Sequence, residues 1–325
     1  MNLTKFGWRH AAASLFPPTH VLRGVRVHKL VEASVKSSDS LILSTIEKGT
    51  PSLVGRFGGT EARVLGCYLD LFKGYSISDP ISTTYSLLTV QKRLKQLESG
   101  AGVYPPNWQT LRDFANEYLF SIRNSDLIGC WGETFTWVED FALKESKARC
   151  VSHHATTPWV ESIFNNNPGI IPWSAALKDK KVLIVSSFSK SFEKQFFRIN
   201  NVFPNSNFHA FTPIFLDSPR TQGGLNDGST WKVRLDEMKQ RMSSIDFDIA
   251  LVSAGGYSYP LANHAKTMGK IGVHTGGELQ LFFGVKGRRW ENSVKVNKYE
   301  NSFWIRPSEE EKPRNWLEIE NGCYW

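Results

Sequence analysis

Short apolar runs recur along this chain, each leading through small or glycine residues into a helix-like pattern. The clearest are SLVGRF (52–57), DLIGCW (126–131), ARCVSH (148–153), KVLIVSS (181–187), DIALVSA (248–254) and KIGVHT (270–275). Successive strand side chains point to opposite sides, so a run that is apolar at consecutive positions is buried on both faces. Doubly buried strands alternating with helices imply a Rossmann-like α/β fold: a mostly parallel sheet with helices on both faces.

The intervening segments support this reading. Helices are predicted over 60–72, 83–99 (ended by Gly100), 108–124, 189–199, 231–244 and 259–269, with a last short one in 277–284. FHAF (208–211) reads as a further short strand, and DSPRTQGGLNDGST (217–230) as turn chemistry throughout, a mobile surface loop. Residues 1–50, broken at Pro17-Pro18 and stopped at Gly49, read as an N-terminal helical arm. The α/β domain then spans 51–325, with two halves meeting near 175. Trp290, Trp304, Trp316 and Trp325 mark a tail expected to pack back on the body.

Composition narrows the setting. With 325 residues, 41% of them hydrophobic, the chain can bury a sizeable core. Cys67, Cys130, Cys150 and Cys323 form no CxxC pair, and read as free thilos of a reducing compartment, so a cytoplasmic location is expected. The basic N-terminus lacks a continuous apolar stretch, and no run approaches the ~18 residues of a membrane helix. A soluble protein, or one peripheral on the inner membrane face, is implied. The net charge of +8 suits anionic partners such as nucleotide diphosphates or an acidic glycan. The basic residues are scattered and match no nucleic-acid motif, so no nucleic-acid partner is expected.

Strand-to-helix junctions are where an open parallel sheet binds ligands, because helix N-termini there offer free N–H groups to phosphate. The first junction is Arg56-Phe57-Gly58-Gly59-Thr60-Glu61. Arg56 could pair with phosphate and Glu61 projects from the first helical turn; equally, the glycines could only make the turn while Glu61 complements the helix dipole. The second junction, Ser186-Ser187-Phe188-Ser189-Lys190, could be a phosphate turn or a plain serine N-cap. The third is a pair, Ser253-Ala254-Gly255-Gly256-Tyr257 and His274-Thr275-Gly276-Gly277. Three glycine- or serine-rich junctions on one sheet edge together suggest a nucleotide diphosphate pocket. Glu133 and Asp217 stand at strand ends as candidate general bases. His153 and His154, read as strand neighbours, would point apart and share no metal. Trp131, Trp137 and Trp159 read as core rather than sugar platforms.

These residues carry a resemblance. The Arg56–Glu61 turn resembles the R-[FY]-G-D-G-E segment of the GT-D type glycosyltransferases, whose Asp-x-Glu pair is associated with donor and metal binding. LKDKKVLIVSSFSKSFEKQ (177–195), LVSAGGYSYPLANHAKTMGK (251–270), VHTGGELQLFFGVKGRRW (273–290) and NGCYW (321–325) are similar to bacterial polysaccharide-biosynthesis members of that class. The likeness implies a donor that is a nucleotide diphosphate-sugar and an acceptor that is a glycan or lipid-linked saccharide. The junctions, read together with that likeness, give an expected donor site of Arg56, Gly58, Gly59, Ser187, Ser189, Lys190, Gly255, Gly256, Tyr257, His274, Gly276, Gly277, Gln280 and Lys286, with Glu61 binding the donor or acting as base. This chain has Gly59 where the pattern has aspartate. A divalent ion (Mn or Mg) normally wants more than one carboxylate, so metal dependence is in doubt. Two alternatives accompany the transferase: a pyruvyl-type transferase acting on polysaccharide, and a degenerate member that binds nucleotide or glycan as a scaffold.

Overall fold

The computed structural model describes residues 35–73, 80–131, 136–157, 171–204, 210–224 and 228–325. Their seven strands are β1 (Ser52–Arg56), β2 (Leu127–Cys130), β3 (Arg149–Ser152), β4 (Lys181–Ser186), β5 (Thr212–Asp217), β6 (Ile249–Ser253) and β7 (Ile271–His274). They form one sheet in the order β3-β2-β1-β7-β6-β4-β5, and every pairing is parallel. The α/β, Rossmann-like expectation is met.

Alternation along the strands divides the core in two. Leu183, Val185, Ala250 and Val252 face one layer, while Val182, Ile184, Ile249 and Leu251 face the other. The first layer holds the helices Gly59–Phe72, Pro80–Ala101, Trp108–Arg123, Thr136–Ser146, Trp231–Ser243 and Ser258–Thr267. Trp108–Arg123 shows why such a segment folds this way. Leu111, Phe114, Tyr118 and Ile122 repeat on one face and are fully buried, and Asn107 accepts the Thr110 N–H at its start. Each such side chain contributes about 1.5–3 kcal/mol through burial. The second layer holds Val35–Glu47, Ser189–Phe196, Leu279–Phe282 and the turn Trp173–Leu177.

Several boundaries differ from expectation. The helix read as stopping at Gly100 runs through it to Ala101, and Gly102, at φ +74°, ends it. No strand covers 210–211, the described part of FHAF; the strand is TPIFLD, from Thr212. Pro213 has no N–H to donate, yet β5 is the outermost strand and can forgo one on its open side. The helix expected over 189–199 ends at Phe196, with a separate turn at Ile199–Val202, and Leu279–Phe282 is followed by a further helix, Val294–Asn297. In the 217–230 loop, Ser218 and Thr221 are buried rather than surface residues, and the Thr221 hydroxyl donates to the Gly102 carbonyl at 2.8 Å.

Of the N-terminal arm, residues 1–34 lie outside the described residues. The helix Val35–Glu47 packs into the second layer through Ile42 and Ile46, and the buried Asp39 carboxylate accepts the Trp173 N–H at 3.1 Å. Trp290 and Trp304 of the tail are buried against the body, as expected. The four cysteines are free thiols. Among the described residues no helix is long and apolar enough to cross a membrane.

Candidate functional site

The central strands β1, β7, β6 and β4 end level with one another, their register aligning Val54, Val273, Leu251 and Ile184. Beyond their carboxyl ends lies a cleft of about 440 Å³. β4 leads outward to β5 whereas β6 leads the other way to β7, so the chain reverses direction between these neighbours. Such a reversal is where open α/β sheets take ligands. Gly58, Gly59, Ser187, Gly255, Gly276 and Gly277 all line the cleft, so the predicted junctions converge.

At the β1 junction the helix Gly59–Phe72 starts behind Gly58, which has no side chain to cap it. The first N–H groups of that helix lack intrahelical acceptors and present partial positive charge to the cleft. Glu61 folds back so far that a Cβ on Gly58 would overlap its carboxyl group. The carboxyl is buried, and burial pushes its pKa up to about 7. Glu320 adds to the rise, while its own N–H and Arg56 oppose it. Glu61 therefore exchanges a proton near neutrality.

Arg56 lies beneath, its Nη1 donating to Thr156 Oγ1 (3.1 Å), Thr157 Oγ1 (3.2 Å) and the Thr275 carbonyl (3.0 Å), with Glu278 at 3.5 Å. Its guanidinium lies so close to Gly276 that a Cβ there would sit 2.8 Å away, and Gly276 takes φ +64°. A side chain at 276 would be both strained and obstructed. His274 donates from Nδ1 to the Arg56 carbonyl at 2.9 Å, since a carbonyl only accepts. Burial, then the Arg56 charge, lowers its pKa to about 3, so the ring is neutral. Its Nε2 keeps a lone pair. Burial alone would raise the Glu278 pKa, but His154 and Arg56 beside it hold the group below the usual range, ionised.

Three contributors come from elements that sequence reasoning did not assign to the site. Arg220 reaches the cleft from the loop after β5, bound to Asp217 through two bonds of 3.0 and 2.8 Å and to the Ser187 carbonyl at 3.0 Å. Arg289 lies 4.0 Å from the Tyr324 ring centroid and donates to Glu320 at 2.7 Å. The C-terminal segment closes this side of the cleft with Glu311, Glu320, Tyr324 and Trp325. Glu311, fully buried, accepts the Ser191 N–H at 3.1 Å and the Ser191 hydroxyl, occupying the N-terminus of the helix Ser189–Phe196. Glu278 had a signal, a carboxylate just past a Gly-Gly strand end like Glu61. Arg220 and Arg289 had none beyond the stretch containing Arg289.

Other predicted site residues have partners of their own. Asp217 is not free to act as a base, being bound by Arg220 and the Ser189 hydroxyl, and it orients Arg220 instead. Ser189 serves Asp217, and Lys190 pairs with Glu310 at the exposed surface. Gly255 lines the cleft and also makes room for the end of the helix Pro80–Ala101, since a Cβ on it would lie 2.7 Å from the Ala101 carbonyl; Gly256 lies behind it, where a Cβ would overlap Val103. Tyr257 is fully buried, its hydroxyl 3.1 Å from Thr221 Oγ1, and does not reach the cleft. Gln280 is buried and holds the Tyr324 carbonyl at 3.0 Å. Lys286 is tied to Asn297 and Glu300, anchoring the tail. Glu133 and Trp159 lie outside the described residues.

His153 and His154 sit on a turn, His153–Thr156, rather than on β3. Trp131, read as core, is 37% exposed and lines the cleft, while Trp137 packs against the core. Among the described residues no group of three His, Cys, Asp or Glu side chains is placed to hold a metal. Among the described residues, Glu61 and Glu278 are the carboxylates that follow the strand ends at the cleft, and Glu278 is already engaged by Arg56 and Thr157.

Fold and site together define an α/β protein with a glycine-lined cleft, carrying both arginines and carboxylates, at the carboxyl edge of a parallel sheet. Comparison of the chain with models of known protein families, with curated proteins and with solved structures finds no match.

Proposed function

We propose that this protein is a glycosyltransferase that moves a sugar from a nucleotide diphosphate-sugar to a hydroxyl of a surface-glycan precursor. The observation that carries the reading is the sharing of one cleft by a helix N-terminus whose N-cap is a glycine, the guanidinium groups of Arg56, Arg220 and Arg289, and the proton-exchanging Glu61. The N–H groups at Gly59 and Thr60 receive phosphate oxygens. Arg56, Arg220 and Arg289 balance the charge of the leaving diphosphate, a preorganised electrostatic contribution that needs no ion from the protein. The acceptor oxygen bonds to the anomeric carbon as the bond from that carbon to the diphosphate oxygen breaks. Glu61, when ionised, takes the acceptor's proton, and a pKa near 7 suits that task. His274 Nε2 and the Ser253 hydroxyl face the sugar.

The sequence resemblance to GT-D type enzymes supports the same reaction. The resemblance, with the charge of +8, also supports a saccharide acceptor met in the cytoplasm at the inner membrane face. The test is a panel of nucleoside diphosphates and their sugar conjugates, read by melting temperature and by release of free diphosphate. A nucleoside diphosphate at a hundred times its Kd should stabilise the fold by about 2.7 kcal/mol, and a matching conjugate should be slowly hydrolysed. Binding without turnover of any conjugate would favour the scaffold; no shift with any diphosphate would sink both.

A further inference from the structure

Resting on the transferase reading, we infer that Trp131 is the platform on which the nucleobase of the donor stacks. The indole follows β2 directly, beside the β1 junction where Gly58 and Gly59 receive phosphate. One face lies on the His153 ring, with centroids 3.5 Å apart and planes at 27°. Burial, then the charge of Arg56, keeps His153 neutral, so the ring below is an uncharged support. The indole edge is fixed as well: Nε1 donates to the Phe57 carbonyl at 3.2 Å, and the backbone N–H donates to Glu139 at 2.7 Å. The platform is thus fixed by these contacts, and Trp131, 37% exposed, lines the cleft.

The chemistry around the ring separates a base from a sugar. A pyranose needs donors and acceptors around it for its hydroxyls. Both N–H groups of Trp131 are spent internally, so the indole itself offers only its π face. That suits a flat aromatic ring held by stacking, which tolerates any base. Polar groups for sugar hydroxyls gather toward β6 and β4, at Ser187, Gln222 and Ser253. The donor therefore lies along the sheet edge with its base toward β2, its diphosphate over β1 and its sugar toward β6.

Calorimetry with the intact protein, a set of nucleoside diphosphates and inorganic pyrophosphate tests this orientation. In the wild type, nucleoside diphosphates should bind more tightly than pyrophosphate. Trp131→Ala should weaken nucleoside diphosphates about tenfold or more and leave pyrophosphate unchanged, while Trp131→Phe keeps most of the affinity. Fluorescence quenching by nucleoside diphosphate should also be smaller in Trp131→Phe than in the wild type. Equal loss of pyrophosphate affinity in Trp131→Ala, or full nucleoside diphosphate affinity in that variant, overturns the platform and leaves the transferase reading standing. A wild type that binds neither ligand overturns both.

Discussion

Glu61 concentrates the chemistry because its surroundings set its proton affinity and its position sets its reach. With a pKa near 7, the ionised form needed to accept a proton grows as pH rises through that value. Turnover is expected to increase about tenfold per pH unit below 7 and to level off above it. Glu61→Gln should lower the rate by about 10²–10⁴-fold and abolish that dependence. Stability should move the other way. The folded state holds the Glu61 proton more tightly than the unfolded chain, whose value is 4.5. The stability this contributes is present in full below pH 4.5 and is lost as pH rises through 7. The glutamine variant should thus match the wild type at pH 4 and exceed it at pH 8 in urea melts. A variant with normal turnover would remove Glu61 from the mechanism. Residues such as this were legible because they sit at local strand ends. Arg56 meets Thr275 across 219 positions, and Arg289 meets the tail only after folding, so no local pattern announces those partnerships.

Elements were legible in proportion to how fully they are buried. β4, β6 and β7 read directly from unbroken apolar runs, because both faces are covered. β5 did not, since it is half-exposed at the sheet edge and carries Pro213. Gly256 shows a related ambiguity: a glycine needed for a neighbouring helix looks the same in sequence as one needed for a ligand. The helix Val35–Glu47 offers a separate test of burial. Asp39 is pushed by burial from 3.8 up to about 7, against the opposing bond from Trp173. It too contributes stability below pH 3.8 that disappears as pH rises through 7. Asn retains an acceptor for the Trp173 N–H without the charge. Asp39→Asn should therefore leave stability unchanged at low pH and raise it at pH 8 by an amount on the order of a few kcal/mol. Equal urea midpoints for the two proteins at pH 8 would show that Asp39 is solvated there.

At the scale of the whole molecule, the strand order joins distant parts of the chain. β1, β2 and β3 form one flank and β4, β5 and β6 the other, and β7 lies between them, paired with β1 on one side and β6 on the other. The same strand delivers His274 and the Gly276-Gly277 turn to the cleft, so the site is completed by the element that joins the flanks. This placement governs when the protein can fold during its synthesis. Until residues 271–274 leave the ribosome, β1 and β6 each carry an open edge of unpaired N–H and C=O groups, and the cleft has no floor between them. Most of the chain must therefore wait, exposed, for one four-residue strand, a circumstance that favours chaperone binding over domain-by-domain folding. A chain ending at residue 268 should remain protease-sensitive and aggregation-prone, whereas the full chain resists. Cooperative unfolding of the shorter chain at native-like stability would show that the first flank closes without it.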